Sequence, residues 1–237
     1  IDVGSEVRAL AFFVDPTTGA PRLACGTGKW VSGNYFGDVR VFDPVAGGKA
    51  LLVIEVGSSV HALAVFKDPS TGAPRLVTRS GKVLYEIAGG AAIEDPGELP
   101  KAVRERLDRE VRFADPTTGA PRLAKITGKK VSISDPVAGG EALLVLEGHT
   151  GKVNALTAFV DPATGETRLA SGSLDKTLRV WDASKGGAAL RVIPFEDEVN
   201  VLTVGRDMSG IFVAFGKRWG ELRVKTTTTP LTLACYQ

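Results

Sequence analysis

His149, Ser171 and Asp175 bring an imidazole, a hydroxyl and a carboxylate into one short stretch of the chain. Those three types can perform acyl transfer, the imidazole drawing the proton from a serine nucleophile while the carboxylate orients it. Other chemistry is excluded more quickly. GTGK at Gly26–Lys29 has the ring of a phosphate loop, but that motif needs glycine five residues before Gly28 and Ser or Thr after Lys29. Leu23 and Trp30 stand there, and ITGKK at Ile126–Lys130 fails in the same way. A zinc site needs clustered thiols and imidazoles, and Cys25, His61, His149 and Cys235 are scattered. Paired carboxylates would suit glycoside hydrolysis. The recurring acids Asp15, Asp68, Asp115 and Asp161 each precede proline, so a turn role explains them. No metal and no cofactor is expected.

The elements that would position these residues are repeated. DPTTGAPRLA occurs unchanged at Asp15–Ala24 and Asp115–Ala124, with near copies at Asp68–Val77 and Asp161–Ala170. Their aspartates are 53, 47 and 46 residues apart. A second element follows each: FDPVAGG from Phe42, SDPVAGG from Ser134, WDASKGG from Trp181 and a reduced YEIAGG from Tyr85. A fifth, eroded unit starts near Val199. Within the fourth unit, Lys152–Phe159, Thr167–Ser173, Thr177–Asp182 and Ala188–Ile193 read as strands bounded by Asp-Pro, Thr-Gly and Gly-Gly turns. Four short strands in a repeat of about 46 residues is the arithmetic of a propeller blade. The fold class is therefore all-β.

Composition agrees with a folded globular chain. The 237 residues are 43% hydrophobic and 24% charged, and 29 Lys+Arg against 27 Asp+Glu leave a net charge of +2. So balanced a surface argues against nucleic acid as a partner. No apolar run of spanning length is present, which argues against direct membrane insertion. Pro100–Arg112 has helical propensity, yet it overlaps the inner-strand position of the third unit, so a degenerate strand after a short helical turn is expected there, a full helix replacing that strand being the alternative. Cys25 and Cys235 are expected as buried free thiols, with a single bridge between them as the alternative. Met208 is the sole methionine, so the string from Ile1 lacks a translational start.

From Leu146 to Asp182 the chain reads LEGHTGKVNALTAFVDPATGETRLASGSLDKTLRVWD. This resembles a WD-repeat: a Gly-His pair, an apolar strand, a strand serine, an aspartate in a tight turn and a closing Trp-Asp 33 residues after the Gly-His. The resemblance implies a structural hydrogen-bonded tetrad of His149, Ser171, Asp175 and Trp181, which accounts for the same three residues as the catalytic reading and displaces it. The other units depart from the pattern. Cys25 and Lys125 stand at the serine position, Phe42 and Ser134 at the tryptophan position, and only Thr78 keeps a hydroxyl. Those blades are expected to rest largely on hydrophobic stacking. The whole is expected to be a WD-repeat-like β-propeller of about five four-stranded blades, near residues 1–56, 57–95, 96–147, 148–194 and 195–237. An incomplete seven-bladed ring is the alternative.

The resemblance also directs attention to one face. Arg8, His61, Asn154 and Asn200 follow the first valine of four inner strands, a position that in WD-repeats often faces the mouth of the channel. The first unit carries an enlarged loop at Gly28–Asp38 in which Trp30, Tyr35 and Phe36 stand among Gly, Ser and Asn, a composition typical of contact anchors. These seven residues are the candidate partner-binding set. The function expected is that of a non-catalytic protein–protein interaction scaffold, a subunit of a larger assembly, and not an enzyme. The alternative is a lectin-like propeller binding carbohydrate or another small ligand. Compartment is left open, with an intracellular location favoured over a secreted one.

Overall fold

The computed structural model describes residues 2–15, 18–68, 74–78, 84–86, 92–93, 110–161, 164–204, 210–223 and 232–234. They form antiparallel sheets in strict chain order, grouped in two compact units. The first unit holds two sheets. Sheet 1 has β1 (Glu6–Val14), β2 (Pro21–Val31), β4 (Asp38–Phe42) and β5 (Leu52–Glu55) in the order β1-β2-β4-β5, with β3 (Asn34–Phe36) paired to the far end of β2. Sheet 2 is β6 (Leu63–Lys67), β7 (Pro74–Thr78), β8 (Leu84–Glu86) and β9 (Ala92–Ile93).

The second unit holds three sheets of the same order. Sheet 3 is β10 (Val111–Ala114), β11 (Pro121–Thr127), β12 (Lys130–Ser134) and β13 (Leu144–Leu146). Sheet 4 is β14 (Val153–Val160), β15 (Thr167–Ser173), β16 (Thr177–Asp182) and β17 (Arg191–Pro194). Sheet 5 is β18 (Val199–Val204), β19 (Gly210–Phe215), β20 (Arg218–Arg223) and β21 (Thr232–Ala234). The protein is thus all-β, built of four-stranded meanders of the WD-repeat type. The inner strand of sheet 3 begins at Val111; residues 101–109, where the helical turn is expected, lie outside the described residues, as do Met208 and Cys235.

Alternation of side chains explains why these strands are apolar on both faces. In sheet 4, Leu156, Ala158, Leu169 and Trp181 pack with Ala124, Val131, Ile133 and Leu146 of sheet 3. Ala155, Phe159, Ala170, Leu178 and Val180 pack with Val199, Leu202, Ile211, Val213 and Phe215 of sheet 5. In the first unit, Ala9, Ala11, Phe13, Ala24, Val39 and Val41 of sheet 1 meet Val60, Leu63 and Leu76 of the sheet 2 region. Each meander buries a face it cannot bury alone, which is the energetic reason for repetition.

The repeated turns are built alike. In three copies the aspartate carbonyl accepts from the glycine four residues on, Gly19, Gly119 and Gly165, at 2.7–2.8 Å. Those glycines have φ of 70–72°, a region that glycine enters without strain. The second turn uses Asp43, Asp135 and Asp182, whose Oδ1 accepts two successive backbone N–H groups at 2.7–3.2 Å.

Candidate functional site

The candidate site of sheet 4 is assembled from both ends of the repeat. Ser171 lies on β15 and Trp181 on β16, while Asp175 sits in the tight turn between them and His149 precedes β14. Trp181 Nε1–H donates to Ser171 Oγ at 2.8 Å. Ser171 Oγ and His149 Nε2 are 2.8 Å apart, as are His149 Nδ1 and Asp175 Oδ2. A carboxylate accepts only, so Nδ1 carries the proton, Nε2 accepts from the serine hydroxyl, and the chain runs Trp181 to Ser171 to His149 to Asp175 in one direction. Asp175 also accepts from Thr177 N, Thr177 Oγ1 and Thr150 N at 3.0, 2.6 and 3.0 Å. Gly148 leaves space for this: a Cβ there would lie 2.7 Å from an Arg179 guanidinium nitrogen and 3.4 Å from the Trp181 ring.

Protonation follows burial and bonding. Burial pushes the His149 imidazole below its ordinary range, and the Asp175 carboxylate only partly opposes this. Burial would raise Asp175, but donors on Thr177, His149 and Thr150 outweigh it and hold the carboxyl well below the usual range. A neutral imidazole bonded to a carboxylate is the resulting state. Ser171 is fully buried, with its oxygen already engaged by Trp181 and His149. An arrangement of this kind ties outer strands to the inner one; it offers the hydroxyl no open face.

Sheet 1 replaces this chain instead of merely losing it. Cys25 is buried at the serine register, opposite Arg40 as Ser171 is opposite Arg179. Burial raises its thiol pKa well above the ordinary value. Phe42 packs at the tryptophan register. Two residues along, Thr27 Oγ1 donates to Asp38 Oδ1 at 2.6 Å, Asp38 is gripped by Arg40 at 2.7–3.1 Å, and Arg40 reaches the Val3 carbonyl at 2.6 Å. Besides the hydrophobic stacking on which this sheet is expected largely to rest, a threonine, an aspartate and an arginine supply a second polar clamp. Sheet 3 follows the expectation more nearly. Lys125 turns outward to Glu110 at 2.7 Å, and Ser134 contributes only a long bond to the Leu123 carbonyl at 3.5 Å.

Arg8, Asn154 and Asn200 share one backbone feature. Strand register slips between Val7 and Ala9, between Val153 and Ala155, and between Val199 and Val201, so each of the three is the extra residue of a β-bulge. Bulges re-aim a side chain, and Asn154 Nδ2 donates to Asn200 Oδ1 at 3.3 Å between sheets 4 and 5. Arg8 pairs with Glu6 at 2.8 Å. His61 is exposed and lies just before β6 rather than within it.

The enlarged loop of the first unit is a strand ribbon. β2 runs on to Val31, turns through Ser32 and Gly33 at φ of 48° and 90°, and returns as β3. Both central residues in the left-handed region are the signature of a hairpin turn whose twist matches its strands. Trp30 and Tyr35 are directly opposed, with ring centroids 4.5 Å apart in an edge-on contact. They remain 58% and 51% exposed, and Phe36 remains 50% exposed.

One repeated residue escapes a reading based on hydrophobic pattern. The arginine of the RL dipeptide in the Asp-Pro repeat clips turns together: Arg22 reaches Asp15 and Asp43 at 3.6 and 3.2 Å, Arg122 reaches Asp115 and Asp135 at 3.3 and 3.8 Å, and Arg168 reaches Asp182 at 2.9 Å. Arg75 reaches Asp68 at 3.3 Å. Its presence in all four copies was the available signal. Asp182, which burial alone would raise, is brought down to about 2 by Ser184, Lys185 N–H and Arg168.

Successive four-stranded meanders, one of them fastened by a Trp-Ser-His-Asp chain, define a protein of the propeller-blade class. Residues 140–182 match the family model described as WD domain, G-beta repeat. A segment of 68 residues is 41% identical to WD repeat-containing protein 41 of Mus musculus, covering 27% of this chain and 15% of that protein. Both matches support a WD-repeat family over the segments they cover. WD40 repeats generally mediate protein–protein interaction and scaffolding.

Proposed function

We propose that this chain is a non-catalytic scaffold that binds a protein partner and serves as a subunit of a larger assembly, its five sheets belonging to one propeller domain. The observation that carries the reading is the exposed ribbon of Trp30, Tyr35 and Phe36. Aromatic side chains of this kind contribute large contact area at low entropic cost. A net charge of +2 on 237 residues favours a protein surface over a polyanion. Arg8, His61, Asn154 and Asn200 supply a polar set to the same reading, with three of them aimed by bulges. His149, Ser171, Asp175 and Trp181 serve as the structural tetrad of sheet 4. A carbohydrate site in each blade would need the aromatic pair in each blade, and the Trp30–Tyr35 pair occurs once.

The double substitution Trp30→Ala/Tyr35→Ala tests the ribbon. Partner recovered by quantitative cross-linking and affinity capture with the full chain is expected to fall about tenfold, as for loss of interface anchors. The melting curve should stay within a few degrees of the parent, because the ribbon projects from the sheet. Undiminished capture would reject the ribbon as an anchor.

A further inference from the structure

The aromatic ribbon stands clear of sheet 1. β1 last pairs with β2 at Glu6 and Gly28, and β4 does so at Val39 and Gly26, so Lys29–Val31 pair only with Asn34–Phe36. Every residue from Lys29 to Phe36 is exposed. Directly opposed residues share a face and successive pairs alternate between faces. Trp30 and Tyr35 therefore occupy one face, while the pairs Lys29–Phe36 and Val31–Asn34 occupy the other. Large apolar side chains stand on both faces, with Val31 and Phe36 39% and 50% exposed on the second. A hairpin with one solvated face carries its polar residues there. Neither face of this ribbon is given over to water.

We propose that the ribbon is an inserted element, entering a cleft of a partner protein whose two walls are apolar and whose rim is acidic. The inference rests on the reading of this chain as a scaffold that binds protein through the ribbon. One wall covers Trp30 and Tyr35 and the other covers Val31 and Phe36; a flat surface would leave one set in water. The three residue pairs of the ribbon, at about 3.4 Å each, set a depth of about 10 Å. Packing at about 10 Å on each face sets the walls about 20 Å apart, backbone to backbone. Charge defines the rim. Between Gly28 and Gly37 the one charged residue is Lys29, at the base of the ribbon, and among the described residues it forms no ion pair. A carboxylate at the mouth of the cleft meets it as the ribbon seats. The ribbon of a second copy carries no acid that could do so. A bilayer fits poorly as well. The tip that would enter first is Ser32-Gly33-Asn34, and β3 pairs with β2 alone, leaving its other backbone edge open. Hydrocarbon leaves such groups unsatisfied, whereas a protein wall can bond them.

The test is site-specific photo-cross-linking of the full chain, with p-benzoylphenylalanine replacing Tyr35 on one face or Phe36 on the other. Both positions are expected to cross-link the same polypeptide through two different segments of it, one from each wall. With that polypeptide purified, Trp30→Ser/Tyr35→Ser and Val31→Ser/Phe36→Ser should each weaken binding about tenfold by calorimetry, with melting curves close to the parent. Lys29→Glu should weaken it on the order of fivefold at low ionic strength and less at high. Cross-links from the Tyr35 position alone, with Val31→Ser/Phe36→Ser binding undiminished, would mean a flat contact on one face; that overturns the cleft and leaves the scaffold reading standing. Undiminished binding by Lys29→Glu would overturn the acidic rim. No cross-link to any protein from either position would overturn the cleft and the scaffold reading together. Cross-links only to a second copy of this chain, or sedimentation with phosphatidylserine vesicles that Trp30→Ser/Tyr35→Ser abolishes, would overturn the protein cleft.

Discussion

Asp175→Ala is expected to destabilise the protein by about 3 kcal/mol and to lower its Tm by roughly 6–12 °C. The carboxylate takes hydrogen bonds from Thr177 N, Thr177 Oγ1, Thr150 N and His149 Nδ1. Thr150 is exposed and water can replace its bond, but the imidazole of His149 is buried and its Nδ1–H would be left without an acceptor. An unsatisfied buried donor costs more than the bond contributed. Asp175→Asn retains one acceptor oxygen and should lose less. Differential scanning calorimetry decides the matter, and a melting curve indistinguishable from the parent would remove Asp175 from the account of sheet 4.

Gly172→Ala should cost about 2–4 kcal/mol by a different route, steric separation of sheets 4 and 5. A Cβ at Gly172 would stand 2.3 Å from Val199 Cγ1 and 3.0 Å from Val199 Cβ. Val199 is fully buried in the packing between these sheets and cannot swing away. Sheet 1 repeats the geometry, with Gly26 placing a Cβ 2.5 Å from Val60 Cγ1. At the same register sheet 3 has Ile126, paired with Val131 as Gly26 is with Val39. The approach of the next strand changes accordingly: Val60 N–H bonds the Thr27 carbonyl, whereas Val153 N–H bonds Gly128, one residue further along. Because the cost is a contact between two side chains, Gly172→Ala combined with Val199→Ala should be more stable than the sum of the separate losses. Urea denaturation of the four proteins reads that coupling, and strictly additive losses would contradict it.

Much of this architecture was legible because strands with both faces buried leave a strong pattern. Thr167–Ser173 and Thr177–Asp182 have the bounds expected from their turn residues. The outer strand of sheet 4 was harder, since Ala188–Ile193 was expected and Arg191–Pro194 is observed. One face of that strand is exposed, so hydrophobicity marks its edges poorly. The ribbon at Trp30 reads as a loop by composition, because Ser32-Gly33 in a polar setting gives little strand signal until the opposed pair Trp30–Tyr35 is seen. The clamp of Thr27, Asp38 and Arg40 was invisible for another reason. It ties the strands of sheet 1 with different residue types two residues from the serine register, where the serine and tryptophan of the His149 chain have no counterpart.

The central claim is that His149 serves architecture and not chemistry, and the titration of its imidazole nitrogens by long-range proton–nitrogen NMR tests it most directly. Burial and a donated Nδ1–H predict a neutral imidazole carrying its proton at Nδ1, with the second proton taken up only below the ordinary histidine range. Its signals should not shift on addition of a serine-directed acylating reagent, because Ser171 is buried and engaged on both sides. An imidazole protonated at Nε2, or one titrating at or above the ordinary value, would contradict the account.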